Sequence, residues 1–349
     1  MKSVTIAGRA IGPEFEPYVI CEISGNHNGS LDRALELIEA AAATGADAIK
    51  IQTYTPDTMT IDHDSSDFRI QGTLWDGYNL YQLYKEAQTP FEWHEAMFDK
   101  ARELDVTLFS TPFDETAADL LDALGAPAFK IASFEAVDLP LIRHVAKKGK
   151  PMIISTGMSN LAEIHEATRA AREAGCEELV LLHCVSSYPA PDEQSNVRTV
   201  PHLGEAFDCV PGLSDHTYGS AVSVAAIALG ACVIEKHFTL SRADGGPDAD
   251  FSLEPEEFSR LVIDSKRAWR SLGRVGYDLK GAERGSVQFR RSLYVVKDVE
   301  EGVELSADNI RSIRPGFGLE PKYIDDVLGA KARRKLKRGE PLKWDMFSA

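Results

Sequence analysis

Short apolar or β-branched runs recur along the chain as far as Phe238, separated by stretches whose apolar positions repeat with helical spacing. The runs are Val19–Glu22, Ala48–Gln52, Thr107–Thr111, Ala128–Ser133, Met152–Thr156, Leu179–Cys184, Val210–His216 and Val233–Phe238. Between them lie amphipathic stretches such as Leu31–Thr44, Phe91–Leu104, Glu115–Leu124, Leu161–Ala174 and Ser220–Leu229. Strands that alternate with helices predict parallel strands joined by crossovers. Eight such units match an α/β fold of the (β/α)8 TIM-barrel type. The rival, a doubly wound open sheet, usually carries GxGxxG after an early strand, and the chain has no such hexapeptide. Val4 to Val19, with Gly8, Gly12 and Pro13, reads as a hairpin closing the barrel floor.

The pattern changes near Gly273–Gly285, where four glycines and mixed charges mark an exposed linker. The expected division is a barrel over 1–280 and, over 281–349, the linker with a small C-terminal module. In that module Ser292–Val296 reads as a strand, Glu301-Gly302 and Gly339-Glu340-Pro341 as turns, and Ser306 as the opening of a short helix. So few residues make a marginal core alone, so the module is expected to dock on the barrel or on a second subunit.

Composition narrows the class. With 349 residues, 44% apolar and 26% charged, the chain has the make-up of a globular protein with a large core. The net charge of −16 argues against nucleic acid or an anionic membrane as partner. Residues 289–349 hold 13 Lys+Arg against 10 Asp+Glu, a balance of +3, which leaves −19 for the rest. The first twenty residues lack the apolar core of a signal peptide, and the apolar run from Ala221 to Ile234 is too short to span a bilayer. A soluble, cytoplasmic protein is expected. The five cysteines (21, 176, 184, 209 and 232) include no CxxC pair and read as reduced, buried thiols.

Chemistry in a barrel collects at the C-terminal ends of the strands. Here those ends read Glu22, Lys50-Ile51-Gln52, Ser110-Thr111, Lys130 through Glu135, Ser155-Thr156, His183 through Tyr188, Ser214-Asp215-His216 and Glu235-Lys236-His237. A buried lysine is costly unless it meets an anion. Lys50 and Lys130 pointing into one mouth imply a multiply charged ligand, with Thr111, Ser155 and Ser214 as neutral donors to phosphate or carboxylate oxygens. The alternative is that each lysine pairs with a nearby glutamate. His216 and His237 end adjacent strands, and two imidazoles with open positions suit Mn²⁺, Co²⁺ or Mg²⁺. His27, His94, His144, His165 and His202 show no comparable pairing, and His183 is ambiguous.

Taken together, Glu22-Ile-Ser-Gly-Asn-His-Asn-Gly, Lys50-Ile-Gln-Thr-Tyr-Thr-Pro-Asp, Ser110-Thr-Pro-Phe-Asp, Lys130-Ile-Ala-Ser-Phe-Glu, Ser155-Thr-Gly-Met, Gly212-Leu-Ser-Asp-His-Thr and Glu235-Lys-His-Phe-Thr resemble the sialic (nonulosonic) acid synthase family. The resemblance runs nearly the whole length and is strongest to the pseudaminic branch. The tail, with Arg290-Arg-Ser-Leu-Tyr and Ile313-Arg-Pro-Gly-Phe-Gly, resembles the antifreeze-like (SAF) domain of these synthases. The resemblance implies a domain-swapped homodimer that condenses phosphoenolpyruvate with an amino-sugar aldehyde. It implies that Lys50, Thr111, Lys130, Ser133, Ser155 and Ser214 bind phosphoenolpyruvate, and that His216 and His237 bind a divalent metal, commonly Mn²⁺. By the same resemblance Glu22, Gln52, Tyr188, Asp248 and Arg314 contact the sugar, and Glu135 is the acid/base, with Lys50 and Lys130 beside it in catalysis. Glu135 has a second reading, as an ion-pair partner of Lys130. Phe134 and Ser186 stand where N-acetylneuraminate synthases tend to have Gly and Asn, which suits a 6-deoxy, doubly acetamido acceptor. An N-acetylneuraminate or legionaminate synthase is the alternative within the family, and a non-catalytic carbohydrate-binding protein the alternative outside it.

Overall fold

The structure, a computed structural model, describes residues 3–71 and 75–348. The chain forms two compact units, Met1–Gly273 and Arg274–Ala349.

The first unit opens with an antiparallel hairpin, β1 (Val4–Ile6) and β2 (Arg9–Ile11). Eight parallel strands follow: β3 (Tyr18–Glu22), β4 (Ala48–Thr53), β5 (Thr107–Pro112), β6 (Phe129–Ile131), β7 (Met152–Ser155), β8 (Leu179–Cys184), β9 (Val210–Asp215) and β10 (Val233–His237). Each pairs with the next, and β10 pairs with β3 to close a barrel. The eight runs read from sequence are these strands, with ends shifted by one or two residues.

Strand alternation sorts the core into two layers. Val19, Cys21, Ile49, Ile51, Leu108, Ile131, Ile154, Leu181 and Ile234 face outward onto the helices. Tyr18, Ile20, Ala48, Phe109, Ile153, Val180, Leu182, Val210 and Val233 face inward and pack with Val4, Ile6 and Ile11, so the hairpin does plug the barrel floor. Continuing the inward column past this apolar plug brings Glu22, Lys50, Thr111, Lys130, Ser155, Cys184, Ser214 and Glu235 into one polar layer. Gly212 lies in the narrow part, where a Cβ would stand 2.5 Å from both Leu182 Cδ2 and Val233 O. Only glycine fits that crossing.

Crossover helices run over Leu31–Ala43, His94–Glu103, Glu115–Ala123, Leu139–Ala146, Leu161–Glu173, Thr199–Phe207, Ala221–Ala228 and Pro255–Leu272. Asp114, Asp138 and Asn160 cap three of them through side-chain oxygens. The stretch expected as one helix over Phe91–Leu104 is a short 3-10 turn, Phe91–Trp93, leading into the helix. No helix among the described residues is long and apolar enough to cross a membrane.

The second unit holds β11 (Ser292–Val295) paired with β12 (Ile310–Ile313), and β13 (Lys331–Ala332) paired with β14 (Phe347–Ser348). Leu293, Val295, Leu305, Ile310, Leu336 and Leu342 form its core. The helix expected at Ser306 is instead a turn. Asn309 Oδ1 accepts from Ser306 N, and Ile310 is already taken into the ladder opposite Val295, so no residues remain to continue a helix.

Candidate active site

The mouth of the barrel is a network of buried charges. Lys130 Nζ donates to both carboxylate oxygens of Glu235 at 2.9 Å. Lys50 pairs with Glu22, lies 3.7 Å from Glu235 and donates to Thr111 Oγ1 at 3.1 Å. Ser214 Oγ donates to Glu235 Oε1 at 3.3 Å, and Gln52 Nε2 to Glu22 Oε1 at 3.3 Å. All four charged side chains are at least nine-tenths buried. Burial pushes the Glu22 carboxyl up, against the pull of Lys50. Glu235 is also opposed by burial, but Lys130 and Lys50 together hold its carboxyl below the usual range.

This geometry decides two open readings. Both lysines meet glutamates, so the paired arrangement is the one present. The partner of Lys130, however, is Glu235 and not Glu135. Glu135 makes no ion pair among the described residues, because the turn Ser133–Glu135 carries its side chain past the end of β6. Its Oε2 is buried without a hydrogen-bond partner, and burial pushes its carboxyl up to about 7.

Hydroxyls complete the same wall. Ser155 Oγ is buried with no partner. Ser133 Oγ accepts from Gly157 N at 3.1 Å, and its hydroxyl also interacts with the Cys184 thiol. A Cβ on Gly157 would stand 2.2 Å from Ser186 Oγ and 2.8 Å from Ser133 Oγ, so the loops after β6, β7 and β8 meet closely here.

The two histidines meet as expected. Their ring centroids are 5.4 Å apart. His216 donates from Nδ1 to Val185 O at 2.9 Å, and His237 Nδ1 lies 3.2 Å from Ser24 Oγ. Both Nδ1 atoms are thus engaged and both Nε2 atoms are left over, the arrangement in which an imidazole serves a cation while its other nitrogen fixes the ring. Burial keeps His237 neutral, with His216 and Lys50 pushing the same way. Among the described residues no three His, Cys, Asp or Glu form a closed cage, so a cation here would take part of its coordination from water or ligand oxygens. The residues fit an open divalent site.

Tyr188 stacks on His216 at 4.3 Å between ring centroids and lies 5.2 Å from Phe251. Asp248 accepts from Ser24 Oγ, which ties it to His237. Burial raises its carboxyl. Glu22, Gln52, Tyr188 and Asp248 therefore line one side of the mouth. Arg314 belongs to the second unit, exposed just beyond β12.

Other histidines lie elsewhere. His94 is buried between Thr53 Oγ1 (2.7 Å) and Pro90 O (3.1 Å), and His27 lies 3.3 Å from Thr89 Oγ1 and edge-on to Trp93. His183 points outward from β8 and donates to Ser195 O at 2.7 Å. Two inward residues were not singled out from the sequence, Glu235 and Cys184. Cys184 Sγ lies 3.8 Å from His216 Nδ1; burial opposes its ionisation, yet His216 draws the thiol down to about 7. The signal for both was period-two alternation: Val233, Glu235 and His237 share one face, as do Leu182 and Cys184.

Comparison with known proteins gives consistent results. Residues 37–277 match the NeuB family and residues 290–348 the SAF domain. The pseudaminic acid synthase of Helicobacter pylori is 43% identical over 331 residues, 94% of this chain and 97% of that protein. The N,N'-diacetyllegionaminic acid synthase of Campylobacter jejuni is 36% identical over 329 residues, 93% and 98% of the two chains. Among solved structures, the N-acetylneuraminic acid synthetase of Leptospira borgpetersenii superposes with a TM-score of 0.73 at 28% identity, covering 83% of this chain and 96% of that one.

Proposed function

The chain belongs to the NeuB family, and from that premise we propose that it is a pseudaminic acid synthase, joining phosphoenolpyruvate to 2,4-diacetamido-2,4,6-trideoxy-L-altrose. The observation that carries the chemistry is that Lys50 and Lys130 meet at Glu235, while Glu22, the partner of Lys50, accepts from Ser24 N, and Ser24 Oγ lies against Nδ1 of His237, which faces His216. The choice of branch rests on the 43% identity to synthases of that name, against 36% for the legionaminate type.

In this reading the lysines, Thr111, Ser133, Ser155 and Ser214 hold the enol phosphate. Lys50 and Lys130 pair with Glu22 and Glu235, so they bind an anion by exchanging one carboxylate contact for another. Ser155, with no partner of its own, is the ready donor. His216 and His237 would hold a divalent cation, Mn²⁺ in our reading, which would supply a Lewis acid for the aldehyde oxygen. Glu22, Gln52, Tyr188 and Asp248 orient the open-chain sugar so that its aldehyde faces C3 of the enol.

As the C3–C1 bond forms, C2 becomes electron-poor and takes up water. In this reading Glu135 accepts that water's proton, a role supported by a carboxyl poised near neutrality. The tetrahedral carbon then expels phosphate by C–O cleavage, and the lysines neutralise the leaving group. The same proposal includes a cytoplasmic homodimer. Residues 289–349 of each copy, at +3, are drawn to the acidic barrel of the other, which brings Arg314 to the sugar.

The test is to supply phosphoenolpyruvate, Mn²⁺ and a panel of amino-sugar aldehydes, measuring phosphate release and product mass. Turnover confined to the diacetamido-trideoxy altrose is expected. Preference for N-acetylmannosamine would place the chain in another branch, and no release with any acceptor would overturn the catalytic reading.

A further inference from the structure

On the outer face of β9 and β10, where the column is otherwise Leu213 and Ile234, a charged pair is buried: Asp215 and Lys236, exposed by 2% and 1%. Each precedes one of the two mouth histidines in sequence, and alternation puts it on the opposite face of the sheet from that imidazole. Asp215 Oδ1 accepts from Thr217 N at 2.9 Å and from Thr217 Oγ1 at 2.7 Å, a turn that closes over the backbone of His216. Asp215 Oδ2 accepts from Ser223 Oγ and lies 3.0 Å from Lys236 Nζ. Lys236 Nζ donates to Thr217 O at 2.6 Å, which fastens the far side of that turn to the strand carrying His237. Ala190 N donates to His216 O at 3.0 Å and holds the middle.

Every polar group of the pair is therefore used: the Asp215 contacts fix the turn around His216, and the two Lys236 contacts tie that turn to the strand of His237. An apolar pair of this volume would stabilise the fold as well or better, since burying two charges offsets most of their attraction. We propose that Asp215 and Lys236 are positioning residues that fix the separation of the two imidazoles for a divalent cation. They touch neither cation nor substrate. The inference rests on the reading of His216 and His237 as the metal pair.

The experiment titrates Mn²⁺ alone into the metal-free full-length protein, with free Mn²⁺ followed by electron paramagnetic resonance. The Asp215→Asn/Lys236→Met double variant keeps the acceptor for Thr217 N and the packing volume but removes the tie between the strands. It is expected to melt close to the parent and to bind Mn²⁺ about 10- to 100-fold more weakly, the usual effect of losing support behind metal ligands. A folded variant with the parent's Mn²⁺ affinity overturns the proposal. Ser223→Ala, which loosens Asp215 without removing a charge, is expected to weaken Mn²⁺ in the same direction by a smaller factor; unchanged affinity there also counts against the proposal if the double variant does not fold. His216→Ala is the control. If the parent binds no Mn²⁺, the metal reading itself fails, which is a different result from equal binding by parent and variant.

Discussion

Replacing Glu135 with glutamine separates what this side chain does for stability from what it does for turnover. Its carboxyl is shifted upward from 4.5 to about 7, with burial as the leading cause and Asp138 adding to it. Below pH 4.5 both folded and unfolded chains hold the proton, and the group contributes nothing to the difference. Between 4.5 and 7 the unfolded chain has lost the proton and the folded one has kept it, so stability falls as pH rises, by about 1.4 kcal/mol per pH unit. Above 7 the loss levels off at about 3 kcal/mol, an upper bound because the side chain is only partly screened from water. Glutamine cannot ionise and escapes this loss. Denaturant unfolding should therefore find Glu135→Gln equal to the parent at pH 4.5 and more stable at pH 8, by up to about 3 kcal/mol. Phosphate release by the same variant should fall by about 10²- to 10⁴-fold, the range for losing a general acid/base. In the parent, kcat/KM should rise through pH 7, and in the variant that limb should be missing. A stability difference that does not change with pH would refute the account of the burial. Near-normal turnover would refute the catalytic role.

Three further perturbations test other parts of the site. Glu235→Gln strands Lys130 in the barrel and should destabilise by about 3–5 kcal/mol in denaturant unfolding, the usual loss on removing one member of a buried pair; a shift below 1 kcal/mol would mean Lys130 finds another partner. Stripping divalent ions should weaken phosphoenolpyruvate binding in calorimetry, because Glu22, Glu235 and Asp248 outnumber Lys50 and Lys130 in the mouth; equal affinity with and without Mn²⁺ would contradict this. Gly212→Ala forces a Cβ within 2.5 Å of Leu182 and of the Val233 carbonyl and should cost about 1–3 kcal/mol in thermal unfolding, as overpacking does; a neutral result would mean the barrel floor can expand.

The barrel was legible because its signal is local. Period-two alternation with apolar runs of strand length marks each β-strand, and a helical repeat marks each crossover. The helix Thr199–Phe207 was harder to see, since Pro201 and Gly204 interrupt its pattern, although a proline in the first turn removes no helical hydrogen bond. Which lysine meets which glutamate was not legible at all. Lys130 and Glu235 lie 105 positions apart on β6 and β10, and only closure of the sheet brings them together across the barrel. Glu235 itself was within reach, as the residue between Val233 and His237 on one face. Lys236 falls on the other face by the same count, and its pairing with Asp215 follows from the register that sets the two residues side by side.

The pattern of satisfied and unsatisfied groups divides the labour of the mouth. Lysines left bare in a barrel would destabilise it, so the chain supplies Glu22 and Glu235 and the four charges form a fixed frame. A site built wholly of satisfied groups, however, would have no free donor or acceptor for a ligand. Among the described residues, the unpartnered polar atoms near that frame include Ser155 Oγ on the lysine side and Glu135 Oε2 just beyond β6. One is a donor suited to an anionic oxygen, and the other is a carboxyl poised to take a proton. Ser155 ends β7 and Glu135 follows β6, and the two strands are adjacent and paired. On the proposed function, a substrate that fills this gap would satisfy the hydroxyl and bring its reacting carbon toward the carboxyl in the same movement. Binding and proton transfer would then draw on the two vacancies that folding leaves open, while the paired charges around them hold still.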